Sequence, residues 1–283
     1  MSKIEWTDET WNPVVGCSKV SEGCRNCYAE RMAKRLKAMG HEQYQDVVDK
    51  RGWTGKVSLV ESALDKPLKW RKPRTVFVCS MSDLFHYTVP DDYIFAVFMA
   101  MAKTRGKGHI FQVLTKRPKR MRDLIYGWIL SRVTFHEGCT GRLPSFIWLG
   151  VSVEDQATAD YRIPLLLETP AAVRFVSYEP ALGPVKFVGF GSPTWGKFPP
   201  SHWLNWIICG GESGPGARMI NPDWARSARD QCVDAGVPFF FKNWGGPHKR
   251  GWLLDGELYS GRLLDGRTWD QMPQQVEYEK AQS

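Results

Sequence analysis

The sequence predicts an α/β fold: a partial or full parallel β/α barrel with a small C-terminal β appendage. Three observations predict it. Short apolar, β-branched or aromatic runs recur in order along the chain. Helical patterns lie between them, and strands alternating with helices imply a parallel sheet. Each run turns polar or charged at its C-terminal end, the edge where parallel barrels carry their functional side chains. A doubly wound open sheet is the alternative. The 283 residues, 43% hydrophobic and 24% charged, can bury a sizeable core and exclude disorder, collagen or coiled coil as whole-chain readings.

The first unit is a cysteine segment, Gly16 to Tyr28, followed at once by a helical pattern from Tyr28 to Met39 that Gly40 stops. The predicted strands are Thr75–Cys79, His109–Leu114, Phe146–Val151, Arg174–Ser177, Trp206–Cys209 and Val237–Phe241. Helices are predicted over Pro90–Lys103, Pro118–Arg132 and Asp155–Glu168, the last kinked or broken at Pro164. The clearest helix is Asn221–Ala235, with Asn221 as cap, Pro222 at the first position and Gly236 at the stop. Gly189 to Trp203 reads as an insertion, and Arg250 to Pro273 as a β-hairpin appendage with turns at Asp255-Gly256 and Asp265-Gly266. This gives a barrel domain over residues 1–249 and an appendage and tail over 250–283. No apolar stretch approaches the ~20 residues of a membrane span. Met1–Thr10 is polar and does not read as a signal peptide, so a cytoplasmic, monomeric protein is expected.

Seven cysteines and no secretory signal argue against a disulfide framework. Cys79, Cys209 and Cys232 fall in apolar patterns and read as core. Cys139 sits in a Gly/Thr-rich loop as a candidate free thiol. Cys17, Cys24 and Cys27 stand apart, spaced C-x6-C-x2-C. Three thiolates with a vacant fourth position suit a [4Fe–4S] cluster with one open iron. A structural zinc knuckle is the competing account, but His41 and His86 lack metal-finger spacing.

The strand ends supply further candidates. Ser80, Asp83 and His86 follow the first predicted strand, and Lys116 and Arg117 follow the second. Ser152 and Glu154 follow the third, Glu179 the fourth, and Gly210, Gly211 and Glu212 the fifth. Lys242 follows the last. Glycines directly after a strand let backbone approach a ligand, and Glu212 can bind an amine. Lys116, Arg117, Lys119 and Arg120 form a basic edge able to bind phosphate. A formal charge of +8 together with 13 Trp adds to a nucleic-acid reading.

Longer motifs carry a resemblance. Ile4-Glu-Trp-Thr-Asp8, Trp11-Asn-Pro13, Gly16-Cys17 through Tyr28-Ala-Glu30, Ser80-Met-Ser-Asp-Leu-Phe85, Leu114-Thr-Lys-Arg-Pro118, Gly150-Val-Ser-Val-Glu154, Glu179-Pro180 and Gly210-Gly-Glu-Ser-Gly214 resemble a phage-associated three-cysteine-motif family. That family is grouped with the radical S-adenosylmethionine (radical SAM) superfamily and is distantly like spore photoproduct lyase. The resemblance runs from about residue 3 to residue 272. It implies a barrel of radical SAM type and a [4Fe–4S] cluster on Cys17, Cys24 and Cys27. It also implies S-adenosyl-L-methionine as cofactor and an external flavodoxin- or ferredoxin-like electron donor. Two departures stand out: the first cysteine gap is six residues where the superfamily usually has three, and Asn26 precedes the third cysteine where many members have an aromatic.

The expected activity is reductive cleavage of SAM and hydrogen abstraction from a nucleic acid base or nucleotide, in modification or repair. The candidate catalytic residues are Glu212, Glu179 and Lys116. The candidate cofactor contacts are Tyr28, Ser80, Asp83, Ser152, Glu154, Gly210, Gly211 and again Glu212. Two alternatives compete. One is a metal-stapled nucleic-acid-binding protein without catalysis; the other is radical SAM chemistry on a small metabolite or peptide.

Overall fold

The computed structural model describes residues 4–129, 143–187, 189, 203–247 and 251–273. The chain starts with β1 (Glu9–Trp11), followed by β2 (Val14–Val15), which pairs antiparallel with β3 (Ser58–Leu59). Six strands follow, with a described helix in every connection but that from β7 to β8: β4 (Thr75–Val78), β5 (Ile110–Thr115), β6 (Ile147–Val153), β7 (Arg174–Tyr178), β8 (Trp206–Gly210) and β9 (Phe239–Asn243). They join β1 in one parallel sheet of order β1-β4-β5-β6-β7-β8-β9. Chain order and spatial order coincide, so the sheet lacks the reversal that defines a doubly wound fold. It is a curled half-barrel, consistent with the partial β/α barrel expected.

The helices are α1 (Tyr28–Ala38), α2 (Asp91–Ala102), α3 (Pro118–Leu124), α4 (Gln156–Glu168) and α5 (Pro222–Ala235). A π-turn over Ile125–Ile129 extends α3; the rest of the predicted Pro118–Arg132 helix lies outside the described residues, as do Cys139 and most of the 189–203 insertion. Pro164 does not break α4: one helix runs through it from Gln156 to Glu168. A capping box between Asp155 and Thr158 fixes the helix start, and Ala159, Ile163, Leu166 and Leu167 bury its inner face on both sides of the proline. That packing holds the helix although the proline removes one backbone bond. Asn221 caps α5 by accepting from the Asp223 backbone N–H, and Gly236 closes it at φ +64°.

The two faces of the sheet differ. Val76, Val78, Phe111, Val113, Ile147, Leu149, Ile207 and Phe239 share one core with buried residues of the helices. The other face is aromatic: Trp148, Phe175, Trp206 and Phe240 cluster around Trp6, with Phe77 against them. Gly150 lies on this face because a Cβ there would stand 2.5 Å from the Phe175 ring.

β10 (Trp252–Leu254) and β11 (Glu257–Tyr259) form the expected hairpin, with Asp255 and Gly256 both at positive φ in its turn. The segment beyond it packs on the barrel. Leu264 and Trp269 belong to the helix-side core, and the Phe241 N–H donates to the Trp269 carbonyl at 2.8 Å. The appendage thus covers the free edge of β9. Among the described residues no helix is long and apolar enough to cross a membrane.

Candidate functional site

The site is at the C-terminal edge of the sheet. Side chains alternate along a strand. Each inner, aromatic row therefore runs on into a polar residue at or just past the end of its strand: Lys116 after Gln112 and Leu114, Glu154 after Gly150 and Ser152, Glu179 after Phe175 and Ser177, and, within β9, Lys242 after Phe240. Glu212 follows Ile208 and Gly210 likewise.

The cysteine loop lies against this edge, held at two carboxylates. At the first, the Ser21 hydroxyl donates to Glu154 at 2.9 Å, and Gly23 sits where a Cβ would be 2.5 Å from that carboxylate. Glu154 is 1% exposed and ion-paired to Lys116 and Arg162. Burial opposes its ionisation, but these two cations outweigh it and hold the carboxyl below its ordinary range. At the second, Asn26 donates to Glu212 at 2.9 Å, and Arg218 grips both of its oxygens, at 3.0 and 2.7 Å. Arg218 also donates to the Glu22 carbonyl at 2.9 Å. These hydrogen bonds lower the Glu212 carboxyl against burial. Arg31 of α1 closes the same corner through the Ser213 carbonyl, at 2.7 Å.

A third anchor holds the start of the loop. Arg117 pairs with Asp83 at 2.8 Å, donates to the Ser18 carbonyl and hydroxyl at 3.1 and 2.9 Å, and lies 3.9 Å from the Cys17 sulfur. Asp83 is fully used: Thr115 Oγ1 and the backbone N–H groups of Phe85 and Lys116 also donate to it. His86 Nε2 stands 2.8 Å from Ser18 Oγ and its Nδ1 2.8 Å from Thr88 Oγ1, and burial and Arg117 push the ring down to about 4. Burial and Asp83 push the Cys17 thiol up to about 12; Cys24 and Cys27 lie close enough to add to that rise.

The three thiols are free and share one loop. As a donor set they suit a [4Fe–4S] cluster, and Arg117 offers a cation beside the first sulfur. The side chains as they stand do not close on one point: among the described residues no three Cys, His, Asp or Glu groups are near enough together to hold a metal ion. Cys79, Cys209 and Cys232 are buried, as expected of core cysteines, and burial raises each thiol.

The remaining candidates divide. Lys242 pairs with Glu179, which raises its ammonium against the cost of burial, and Tyr28 lies within electrostatic range of that ammonium while 59% exposed. Ser152 is buried, and its carbonyl accepts from Arg162 at 2.8 Å. Ser80 turns aside to Asn12, donating to its side-chain oxygen at 3.1 Å. Gly211 leaves no open space for a ligand at its α-carbon, because a Cβ there would be 2.2 Å from the Trp244 carbonyl. The basic edge is neutralised throughout: Lys116 by Glu154, Arg117 by Asp83, Lys119 by Asp123 and Arg120 by Asp91.

Asn26 stands out in the sequence only as a departure from the family pattern; three further residues of the site, Asn12, Arg162 and Arg218, are not among the candidates there. Of the three, only Arg162 leaves a signal there, as a charged residue on the otherwise apolar face formed by Ala159, Ile163 and Leu166.

A cleft of about 820 Å³ opens beside the loop, between α3 and α4. Val20 and Ser21 form one wall, and Tyr87 and Tyr161 are its exposed aromatics. The chain matches, over residues 1–273, the family described as a protein of unknown function (DUF5131), and it belongs to that family. No curated protein and no solved structure matches it.

Proposed function

We propose that this member of the DUF5131 family is a radical SAM enzyme acting on a nucleic acid base or nucleotide. The observation that carries the reading is the docking of a free three-cysteine loop on the C-terminal, polar edge of a sequentially ordered parallel half-barrel. That edge is where β/α barrels do their chemistry.

Cys17, Cys24 and Cys27 would hold a [4Fe–4S] cluster. Such a cluster, when bound, supplies the electron that cleaves S-adenosylmethionine and so starts hydrogen abstraction from the substrate. The protein's own part is to position and to exclude water. Glu154 and Glu212 fix the two halves of the loop, and Arg117 offsets negative charge beside Cys17. Glu179 and Lys242 remain as a polar pair at the strand ends, with Tyr28 within electrostatic range of the ammonium.

Anaerobic reconstitution with iron and sulfide tests the reading. The expected result is a brown protein holding about four iron atoms per chain that forms 5′-deoxyadenosine from S-adenosylmethionine under reductant. Cys24→Ala loses both properties. One tightly held zinc, with no iron retained and no cleavage, would instead favour a metal-stapled binding protein and end the proposal.

A further inference from the structure

A cluster of exposed cations lies at the opposite edge of the sheet. Two segments meet there, the one leading into β4 and the one leading into β5. Lys66, Lys69, Arg71 and Lys72 are exposed on the first; Lys103, Arg105 and Lys107 are exposed on the second. Asp65 is the one acidic residue in either stretch, 65–74 or 103–109. The segments are tied together rather than merely adjacent. Lys107 donates to the Leu68 carbonyl, the Ile110 N–H donates to the Arg74 carbonyl at 2.9 Å, and Gly108 packs so close to Pro73 that a Cβ would be 3.1 Å from its ring. Trp70 stiffens the centre: Arg74 and Lys66 lie over its ring at 5.5 and 5.9 Å, and His109 meets it edge-on at 5.5 Å.

We infer that this patch is a docking surface for the phosphate backbone of a nucleic acid. Lys69, Arg71, Lys72 and Lys103 make no ion pair among the described residues. They can therefore exchange their counter-ions for phosphates without breaking any contact of the fold, unlike the paired cations at the Lys116–Arg120 edge. None of the exposed large apolar residues lies in the patch, so it lacks the apolar anchor that a membrane-surface site uses. Phosphate contacts carry no base information, so the binding expected is independent of sequence. With strands rising about 3.3 Å per residue, the patch and the cysteine loop are separated by about 20 Å along β5. A bound strand advancing about 3.4 Å per nucleotide covers that distance in about six nucleotides. The patch would thus hold the polymer while a nearby nucleotide reaches the mouth. The inference names the surface for the nucleic acid of the proposed function, yet it stands on its own geometry and does not need the cluster.

Fluorescence polarisation with a labelled 20-nucleotide single strand, and its duplex, tests it on the full-length protein without reconstitution. Wild-type protein should bind, with affinity falling steeply between 50 and 200 mM salt. The triple variant Lys69→Glu, Arg71→Glu, Lys72→Glu should bind at least ten-fold more weakly. Its slope of log K against log salt should drop by about three, near one for each cation removed. Lys103→Glu with Arg105→Glu, on the other segment, should weaken binding in the same direction. A control triple of equal charge change, Lys50→Glu, Lys56→Glu and Lys186→Glu, should change binding less than two-fold; all three sites are exposed. Equal loss in the control, no binding by the wild type, or tighter binding to phosphatidylserine vesicles through the same residues would each overturn the inference. Because the readout is binding by protein without cluster, its failure is separate from failure of the radical chemistry.

Discussion

Glu154 keeps its negative charge at 1% exposure because Lys116 and Arg162 face it from two elements, the end of β5 and α4. Its carboxyl titrates below the ordinary 4.5 in the folded protein. The stabilisation it brings is therefore complete above that value and is lost as pH falls through the lowered one. Glu154→Gln should leave two poorly exposed cations without their counter-charge and cost about 3–5 kcal/mol at pH 7, the range for breaking a buried pair from one side. Urea unfolding at neutral and acid pH checks this: the gap between variant and wild type should narrow below pH 4.5. An unchanged gap would show that the charge is not what holds the site. The residue was visible in the sequence because it stands just past an apolar run. Its partner Arg162 shows there only as a lone charge on an apolar helix face; nothing local says that this cation, eight residues further on, turns back under the strand end.

At the scale of the element, the cysteine loop is seated by small residues as much as by hydrogen bonds. Gly16 has φ +94°, and a Cβ on it would be 2.5 Å from the Lys56 carbonyl; Gly23 abuts the Glu154 carboxylate just as closely. The carboxylate cannot yield, because Lys116 and Arg162 hold it. Gly23→Ala should therefore lift the loop rather than move Glu154. Hydrogen exchange should quicken across residues 18–26, and reconstituted protein should retain less iron, while the global melting temperature changes little. Unaltered exchange with full iron retention would mean that the loop has slack. The elements themselves were largely legible. The six predicted strands and the helix starts follow from apolar runs, caps and glycine stops. β1 was not legible: three residues, Glu9, Thr10 and Trp11, are too few to show a period, and the sheet supplies the pairing. Nor was the seating of the loop, which rests on contacts between residues more than a hundred positions apart.

At the scale of the molecule, the curl of the sheet depends on Trp6. Its ring meets Phe77 of β4 at 4.9 Å, Trp206 of β8 at 6.0 Å and Phe175 of β7 at 6.4 Å. β4 and β8 are four positions apart in the sheet, so one side chain can touch both only where the sheet wraps round it. Trp206 extends the contact to Trp148 and Phe240, both about 6.1 Å away. This aromatic wealth, which in the sequence suggested base stacking, is here spent on the interior of the half-barrel. Trp6→Ala should empty the centre of that packing and cost about 3–5 kcal/mol. Trp6→Phe should cost much less: the indole N–H is buried without a partner among the described residues, so losing it removes a desolvated donor as well as some area. Denaturant titration of both variants, followed by circular dichroism and by the intrinsic fluorescence of the remaining tryptophans, decides the point. A large, single-step loss for the alanine variant with coincident probes fits a plug that organises the whole sheet. A loss below about 1 kcal/mol, the size expected of a surface substitution, would mean that the N-terminal segment merely rests on a barrel whose curvature the strands set by themselves.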